Sequence, residues 1–250
     1  MSRAPGCWLG ALRKIGAHSH PNSAKVSPQD LFDDLPPPPE AVHTPIAPGA
    51  VLLRAWGRDG DAALLQAVEA VIAQAPLRHM QTPGGYTMSV ATTSCGALGW
   101  VSDPQGYRYA TRDPVSRQPW PAMPACLLAL AQRAAAQAGY AHFQPEACLI
   151  NQYLPGAKLS LHQDKDEKDL SAPIVSLSLG LPAVFLFGTP RRSDRPQRLR
   201  LVHGDVVVWG GPSRLAYHGV QPLEDGAHGL LGRRRINLTF RSPRITTAHL

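Results

Sequence analysis

The sequence predicts a mainly β (α+β) protein built on a double-stranded β-helix, or jelly roll, with supporting helices on its N-terminal side. Short strand-like segments follow one another at turn-punctuated spacing with no helical segment between them. Two amphipathic helical segments precede them. The predicted strands of the jelly-roll core, residues 147–241, are 147–154, 158–163, 174–180, 183–187, 199–202, 205–209, 215–221 and 235–241.

A tail is expected before a single domain. Residues 1–45 combine four consecutive prolines, 36–39, with scattered polar residues and little periodicity, which is typical of disorder or of an extended linker. Whether this tail is a genuine extension or a misplaced start is left open. A chain of 250 residues can bury one sizeable core or two small ones. We assign residues 46–250 to one domain, whose first strand is expected near 50–54.

Two segments have the apolar spacing of helices that pack on a sheet. In residues 59–74, Asp59 or Asp61 can cap the start and Pro76 ends the helix. In residues 121–138, Gly139 provides a C-terminal stop. The core-facing residues are predicted to be Leu64, Leu65, Val68, Val71 and Ile72 in the first helix and Leu127, Leu128 and Leu130 in the second.

The segment between the helices, residues 82–120, is rich in Gly, Tyr and Thr. Residues 86–90 alternate like a strand, and residues 83–85 mark a turn. Trp100, Tyr107 and Tyr109 fall in loop-like surroundings. These aromatic side chains can form a small core of their own, or they can be stacking platforms for nucleic-acid bases.

The composition favours a polyanionic partner. The formal net charge is +7 and the pI is about 9.5, and 20 of the 25 basic residues are arginine. The four cysteines have no metal-site spacing and no short disulfide framework, so a reducing compartment is expected. No apolar run is long enough to span a membrane, and the start lacks a secretory signal. We therefore expect a cytoplasmic protein without a membrane partner, and we expect a monomer.

His162 and Asp164 have the spacing of two ligands to one metal ion. Positions two apart on an extended chain point to the same side, so an imidazole and a carboxylate can reach one cation. Two His and one carboxylate leave three open positions on an octahedral metal, as in non-haem Fe(II) oxygenases. His218 is the best third candidate among the ten histidines because it lies in an apolar, strand-like run. His-x-Asp alone also fits ordinary surface residues.

The closing strand predicts an anion site beside that metal. Arg235, Asn237, Thr239 and Arg241 are each two apart and share one face, while the alternate residues would pack a core. Two inward-facing arginines are costly unless an anion meets them, and a guanidinium pairs with a carboxylate through two parallel bonds. The pattern suits a short dicarboxylic acid. An exposed, arginine-rich edge strand is the simpler alternative.

Long motifs that occur in a fixed order resemble the AlkB family of Fe(II)/2-oxoglutarate-dependent nucleic-acid dealkylases, and most closely its bacterial members. The resemblance covers residues 30–241, most of the chain. The motifs that carry it are residues 80–90 (MQTPGGYTMSV), 98–100 (LGW), 120–124 (WPAMP), 143–145 (FQP), 147–151 (ACLIN), 155–167 (PGAKLSLHQDKDE), 203–211 (HGDVVVWGG) and 237–241 (NLTFR).

The resemblance implies a role for each site residue and a set of small molecules. It implies Fe(II) as the metal cofactor, with 2-oxoglutarate and O2 as cosubstrates, and it makes residues 82–120 a nucleotide-recognition lid. The implied iron ligands, also the catalytic residues, are His162, Asp164 and His218. The residues implied around 2-oxoglutarate are Asn151, Tyr153, Arg235, Asn237 and Arg241. The residues implied at the alkylated substrate are Trp100, Tyr107, Asp166, Arg192, Thr82, Tyr86 and Met88.

The reaction implied by the resemblance is oxidative DNA repair. Oxidation of 2-oxoglutarate to succinate and CO2 would drive hydroxylation of the alkyl carbon on bases such as 1-methyladenine and 3-methylcytosine, with release of formaldehyde. Because the target base must leave its stack, single-stranded DNA is the expected partner, and double-stranded DNA and RNA stay open. The basic stretch 189–200 is either a solvated loop or a grip on phosphates.

Two other functions fit parts of the sequence. One is a related oxygenase that acts on a protein or a small molecule, against which the lid aromatics and the basic loop argue. The other is a silent binder of single-stranded nucleic acid, which would not need all three metal ligands. One residue of the predicted lid departs from the family pattern, because Thr92 stands where a bacterial member has Met. It leaves the preference among lesions open.

Overall fold

The computed structural model describes residues 43–243, and two antiparallel sheets form the centre of this part of the chain. The predicted tail therefore lies almost wholly outside the described residues. The helices are α1 (Asp61–Gln74) and α2 (Ala125–Gln137). The strands are β1 (His43–Ala47), β2 (Ala50–Leu53), β3 (Arg78–Gln81), β4 (Thr87–Gly96), β5 (Gly99–Asp103), β6 (Gly106–Ala110), β7 (Ala147–Tyr153), β8 (Leu159–His162), β9 (Ile174–Gly180), β10 (Ala183–Phe187), β11 (Gln197–Leu201), β12 (Val206–Trp209), β13 (His218–Val220) and β14 (Arg235–Arg241).

The sheets confirm the predicted jelly roll. The major sheet has the order β1-β2-β12-β9-β14-β7-β4-β3, and the minor sheet has the order β11-β10-β13-β8. β14 lies between β7 and β9, and all seven of its residues are buried. Successive side chains of β14 point to opposite faces of the major sheet. One face meets the interior between the two sheets, and the other meets the helices.

Two hydrophobic clusters hold these layers together. The outer face of the major sheet packs against α1 and α2, where Leu64, Val68, Leu127 and Leu130 meet the apolar residues of β14. The inner face packs against the minor sheet through aromatic side chains, among them Phe185, Phe187 and Trp209. The helices are thus supports for the sheet, as their apolar spacing predicted. Among the described residues, no helix has the length and apolar character needed to span a membrane.

The N-terminal boundary and the helix cap differ from the predictions. β1 begins at His43, inside the predicted tail, because it pairs with β2 at the edge of the major sheet. α1 has Gly60 at its N-cap position with no side-chain cap. Asp61, a predicted cap, instead lies 3.0 Å from Nε2 of the buried His203. Gly139 ends α2 in the left-handed conformation, with φ of 87°, as predicted.

The predicted lid, residues 82–120, contributes strands to two different sheets. β4 belongs to the major sheet, where it pairs with β7, and Thr92 is a buried residue of that strand. β5 and β6 form a separate two-stranded hairpin, so Trp100, Tyr107 and Tyr109 lie on strands and not in loops. Cross-strand pairing of short, Gly-bounded segments gave no strong local signal in the sequence.

Candidate active site

Three potential metal ligands meet at the mouth of the jelly roll. His162 of β8 is the register partner of His218 of β13, and Asp164 lies two residues beyond His162. One ligand atom from each lies within 4.8 Å of the others. Nε2 of His162 is 3.6 Å from Oδ1 of Asp164, and Nε2 of His218 is 3.8 Å from its Oδ2. The structure thus brings together the three residues that the sequence predicted as iron ligands.

Backbone carbonyls orient both imidazole rings toward this point. Nδ1 of His162 lies 2.9 Å from the Ser160 carbonyl oxygen, and Nδ1 of His218 lies 3.0 Å from the Ala216 carbonyl oxygen. When the proton of each ring is on Nδ1, the lone pair on Nε2 is free to bind a metal. Burial lowers the pKa of His218 to about 4, with His162 adding to the effect. The ring is therefore neutral near pH 7, as metal binding requires.

Arg241 holds the carboxylate ligand. Its Nε and Nη2 lie 2.8 and 2.6 Å from Oδ2 of Asp164, and both side chains are buried. Burial alone would raise the pKa of Asp164, but the positive charge and hydrogen bonds of Arg241 outweigh it and, with the neighbouring histidines adding to the effect, lower that pKa. Asp164 is therefore ionised at neutral pH. These bonds tie the Arg241 guanidinium to a predicted iron ligand, and its contact with 2-oxoglutarate, which the family resemblance implies, stays a prediction.

Arg235 is a buried cation, and no acidic side chain among residues 43–243 forms an ion pair with it. It is 1% exposed, and its Nη2 donates to Ser178 Oγ at 2.9 Å. Within the part of the chain that the structure describes, its Nε and Nη1 and the hydroxyl of the neighbouring Tyr153 are buried without a hydrogen-bond partner. Burial lowers the pKa of Arg235, yet a guanidinium stays charged at neutral pH. A carboxylate would satisfy these three groups, which is what the distal end of 2-oxoglutarate supplies.

Two asparagines lie on the same pair of strands as Arg235 and Tyr153. Asn151 of β7 is the register partner of Asn237 of β14, and both are buried. The Asn237 amide nitrogen donates to Ser176 Oγ at 2.8 Å and to the Leu177 carbonyl oxygen at 3.0 Å. Its amide thus braces β14 against β9, whereas its cofactor-binding role stays a prediction. The predicted face of Arg235, Asn237, Thr239 and Arg241 does point into the interior.

The β5–β6 hairpin presents aromatic rings beside the metal ligands. Trp100 and Tyr107 are stacked with ring centroids 5.6 Å apart and an angle of 14° between their planes. The Trp100 indole N–H donates to Asp166 Oδ2 at 3.2 Å. Asp166 follows Asp164 by two residues, so it connects the hairpin to the metal-ligand loop. Tyr107 is 48% exposed, which leaves part of its ring open to a ligand.

The remaining predicted substrate residues lie on two other exposed segments. The turn between β3 and β4 contains Thr82 and Tyr86, and Met88 lies at the start of β4. Across this turn, the Thr82 N–H donates to the Tyr86 carbonyl oxygen, and the Tyr86 N–H donates to the Thr82 hydroxyl oxygen. Arg192 lies in the basic loop and donates to the Leu161 carbonyl oxygen at 3.2 Å. Its guanidinium also lies 5.5 Å from the centroid of the Tyr217 ring. These contacts anchor the loop beside β8.

Sequence reasoning missed two charged residues of the site. Glu167 and Arg214 are both buried and form an ion pair at 3.1 Å, and Arg214 also donates to the Asp164 carbonyl oxygen at 2.7 Å. Arg214 lies in a turn after β12 and Glu167 in an acidic stretch, so both look like surface residues in the sequence. Only their three-dimensional proximity to Asp164 identifies them.

A His-Asp-His cluster and a buried arginine suited to an anion, both within a jelly roll, define the class of Fe(II)/2-oxoglutarate oxygenases. The model of the 2OG-Fe(II) oxygenase superfamily matches residues 49–241. The alpha-ketoglutarate-dependent dioxygenase AlkB of Salmonella typhimurium is 60% identical over 212 residues, which is 85% of this chain and 96% of that protein. The tRNA demethylase abh1 of Schizosaccharomyces pombe is 33% identical over 59% of this chain and 53% of its own length. The solved structure of OsALKBH1 superposes with a TM-score of 0.70 at 28% identity, over 80% of this chain and 99% of that one.

The chain belongs to the AlkB family of this superfamily. It is therefore an Fe(II)/2-oxoglutarate-dependent dioxygenase, and its reaction is oxidative dealkylation in repair. The donor set of the site fits this assignment without adjustment. Two imidazoles and a carboxylate suit ferrous iron, and Arg235 supplies the buried positive charge that a dicarboxylic cosubstrate needs.

Proposed function

We propose that this dioxygenase repairs N-alkylated bases, such as 1-methyladenine and 3-methylcytosine, in single-stranded DNA. The observation that carries the proposal is the Trp100–Tyr107 pair with Asp166 at its edge, next to the metal ligands. Aromatic faces stack on bases, and a carboxylate attracts the positive charge that N-alkylation places on these rings. A small-molecule oxygenase would have no need of such a surface.

The side chains divide the work of the proposed reaction. His162, Asp164 and His218 would hold Fe(II), which together with O2 and 2-oxoglutarate supplies the oxidising chemistry. Arg235 and Tyr153 would bind the distal carboxylate of the cosubstrate and fix its direction. Asp166 and the two aromatic rings would hold the base so that its alkyl group faces the metal. After hydroxylation of that carbon, the C–N bond breaks, formaldehyde leaves and the base is restored.

The charge of the chain supports a nucleic-acid strand as the partner. The basic loop places Arg191, Arg192 and Arg195 at the surface beside β8, the strand that carries His162. Exposed guanidinium groups can bind phosphates through parallel hydrogen bonds. RNA is a second candidate substrate, because a fission-yeast relative is a tRNA demethylase. We further propose a monomer in the bacterial cytoplasm, which the free thiols of Cys95, Cys126 and Cys148 support.

A panel of methylated oligonucleotides tests the proposal. The protein with Fe(II) and 2-oxoglutarate is given single-stranded DNA and RNA of the same sequence, each carrying 1-methyladenine, 3-methylcytosine or no lesion, and formaldehyde is measured. We expect release from the lesion-bearing DNA and none from the unmodified strands. The Asp164→Ala variant controls for contaminating activity. Release from none of the lesions, with 2-oxoglutarate still consumed, would contradict the proposed substrate class.

A further inference from the structure

Two adjacent acidic residues receive one hydrogen bond each from the β5–β6 hairpin. Trp100 donates to Asp166, and the Tyr109 hydroxyl donates to Glu167 Oε1 at 2.5 Å. Trp100 and Tyr109 are register partners across the hairpin. One residue on each strand of the hairpin, at paired positions, therefore bonds to the chain segment that follows Asp164. The roles proposed above account for Trp100 and Asp166, but they leave Tyr109 and Glu167 without one.

Glu167 is in contact with both arginines that hold Asp164. Its side chain is 2% exposed and lies 3.1 Å from Nη2 of Arg214 and 3.6 Å from Nε of Arg241. Arg214 is bonded to the backbone of Asp164, and Arg241 is bonded to its carboxylate. A buried carboxylate between two guanidinium groups is strongly fixed in position, because any displacement would leave charges unpaired.

The Tyr109 hydroxyl is the contribution of the hairpin to this network. It reaches the buried carboxylate directly, whereas the neighbouring Tyr107 is exposed and stacks on Trp100. A shift of Asp164 or Arg241 on binding of metal and cosubstrate would be felt at Glu167 and, through one hydrogen bond, in the hairpin. Conversely, a hairpin that lifts away would leave an acceptor on Glu167 unsatisfied.

We propose that Tyr109 and Glu167 form a latch that seats the β5–β6 hairpin over the iron centre when metal and 2-oxoglutarate are bound. Both are positioning residues: the latch places the Trp100–Tyr107 pair for the base but touches neither the base nor the iron. This inference rests on the proposed role of the hairpin in base recognition. A tyrosine that only stabilises the hairpin would give no coupling between the metal site and the hairpin.

The Tyr109→Phe variant tests the latch, because it keeps the ring and removes the hydroxyl. A hydrogen bond to a charged acceptor accounts for about a ten- to a hundredfold change in an equilibrium. We therefore expect the KM for a methylated oligonucleotide to rise about tenfold or more, with 2-oxoglutarate decarboxylation in the absence of oligonucleotide within about twofold of the parent protein. Tyr140→Phe is the matched control, because the Tyr140 hydroxyl donates to the Gly49 carbonyl oxygen elsewhere in the fold.

Amide hydrogen exchange measures the coupling without turnover. With Mn(II) and 2-oxoglutarate under anaerobic conditions, residues 99–110 of the parent protein and of Tyr140→Phe should become protected relative to the metal-free protein. In Tyr109→Phe this gain should be lost. Glu167→Gln should give the same loss, and the effects of Tyr109→Phe and Glu167→Gln on KM should not add when combined.

Three results would overturn the latch. The first is that Tyr109→Phe has the same KM for the oligonucleotide and the same gain of protection as the parent protein. The second is that uncoupled decarboxylation falls in parallel with oligonucleotide turnover in that variant. The third is that the effects of Tyr109→Phe and Glu167→Gln on KM add in the double variant. A failure of the proposed function looks different. In that case no methylated strand releases formaldehyde from the parent protein, whereas the exchange experiment still reports whether metal and cosubstrate seat the hairpin.

Discussion

Arg235 provides the sharpest test of the cosubstrate pocket. It is buried beside Tyr153, with its guanidinium carbon 4.9 Å from the centroid of that ring, and its Nε and Nη1 have no hydrogen-bond partner among the described residues. Arg235→Lys keeps the positive charge but replaces the planar fork by one ammonium group. If one charge-assisted hydrogen bond is lost, about 2 kcal/mol disappears, which corresponds to about a thirtyfold weaker cosubstrate interaction.

The assay is succinate formation at varied 2-oxoglutarate concentration. We expect the apparent KM for 2-oxoglutarate to rise about thirtyfold in Arg235→Lys. We also expect 2-oxoglutarate to raise the melting temperature of the metal-loaded parent protein and to lose most of this effect in the variant, since a ligand stabilises only the state that binds it. Arg234→Lys is the matched control, because Arg234 pairs with Glu69 and Gln152 outside the interior.

Equal cosubstrate dependence in the parent protein, Arg235→Lys and Arg234→Lys would refute the reasoning. The unpaired nitrogens would then serve the fold or bind water. A variant that melts much lower even without 2-oxoglutarate, yet has the same KM, would likewise assign Arg235 to stability.

Three further variants test the other parts of the site. Asp164→Ala should abolish turnover and iron binding. If the variant is active and metal analysis finds one iron per protein, Asp164 is not a ligand. Arg241→Lys should weaken iron retention against a chelator more than it raises the KM for 2-oxoglutarate, because the Arg241 guanidinium is bonded to Asp164; the opposite order would return Arg241 to the cosubstrate. Trp100→Ala should weaken binding of a methylated oligonucleotide about five- to a hundredfold through lost stacking, with uncoupled decarboxylation unchanged. Wild-type oligonucleotide turnover in that variant would make Trp100 a residue of the hairpin alone.

The sequence predicted the features that depend on alternation along one strand. β9, β10 and β14 have the predicted bounds, and Ile236, Leu238 and Phe240 pack under the helices as their spacing required. Period-two patterns identify a strand and its two faces without knowledge of its partners. For the same reason, His162 and Asp164 could be paired from their spacing alone.

The features that depend on pairing between distant segments could not be predicted. The predicted turn and strand signal at residues 83–90 leads into β4, but the place of β4 in the major sheet depends on its register with β7, which lies more than fifty residues away. Glu167 and Arg214 are far apart in the chain and become an ion pair only through the fold. Nor could spacing show that Arg241 pairs with Asp164 while Arg235 has no acidic partner among residues 43–243, since the two arginines share one strand face.

The most direct test of the whole account measures succinate and formaldehyde in one reaction. The protein is supplied with Fe(II), 2-oxoglutarate and single-stranded DNA that carries 1-methyladenine. If the His162–Asp164–His218 cluster, the Arg235 pocket and the hairpin act as one site on one substrate, formaldehyde should appear in a ratio near one to succinate formed above the rate without DNA. Succinate that rises on addition of methylated DNA without formaldehyde, or that does not respond to methylated DNA at all, would contradict that account.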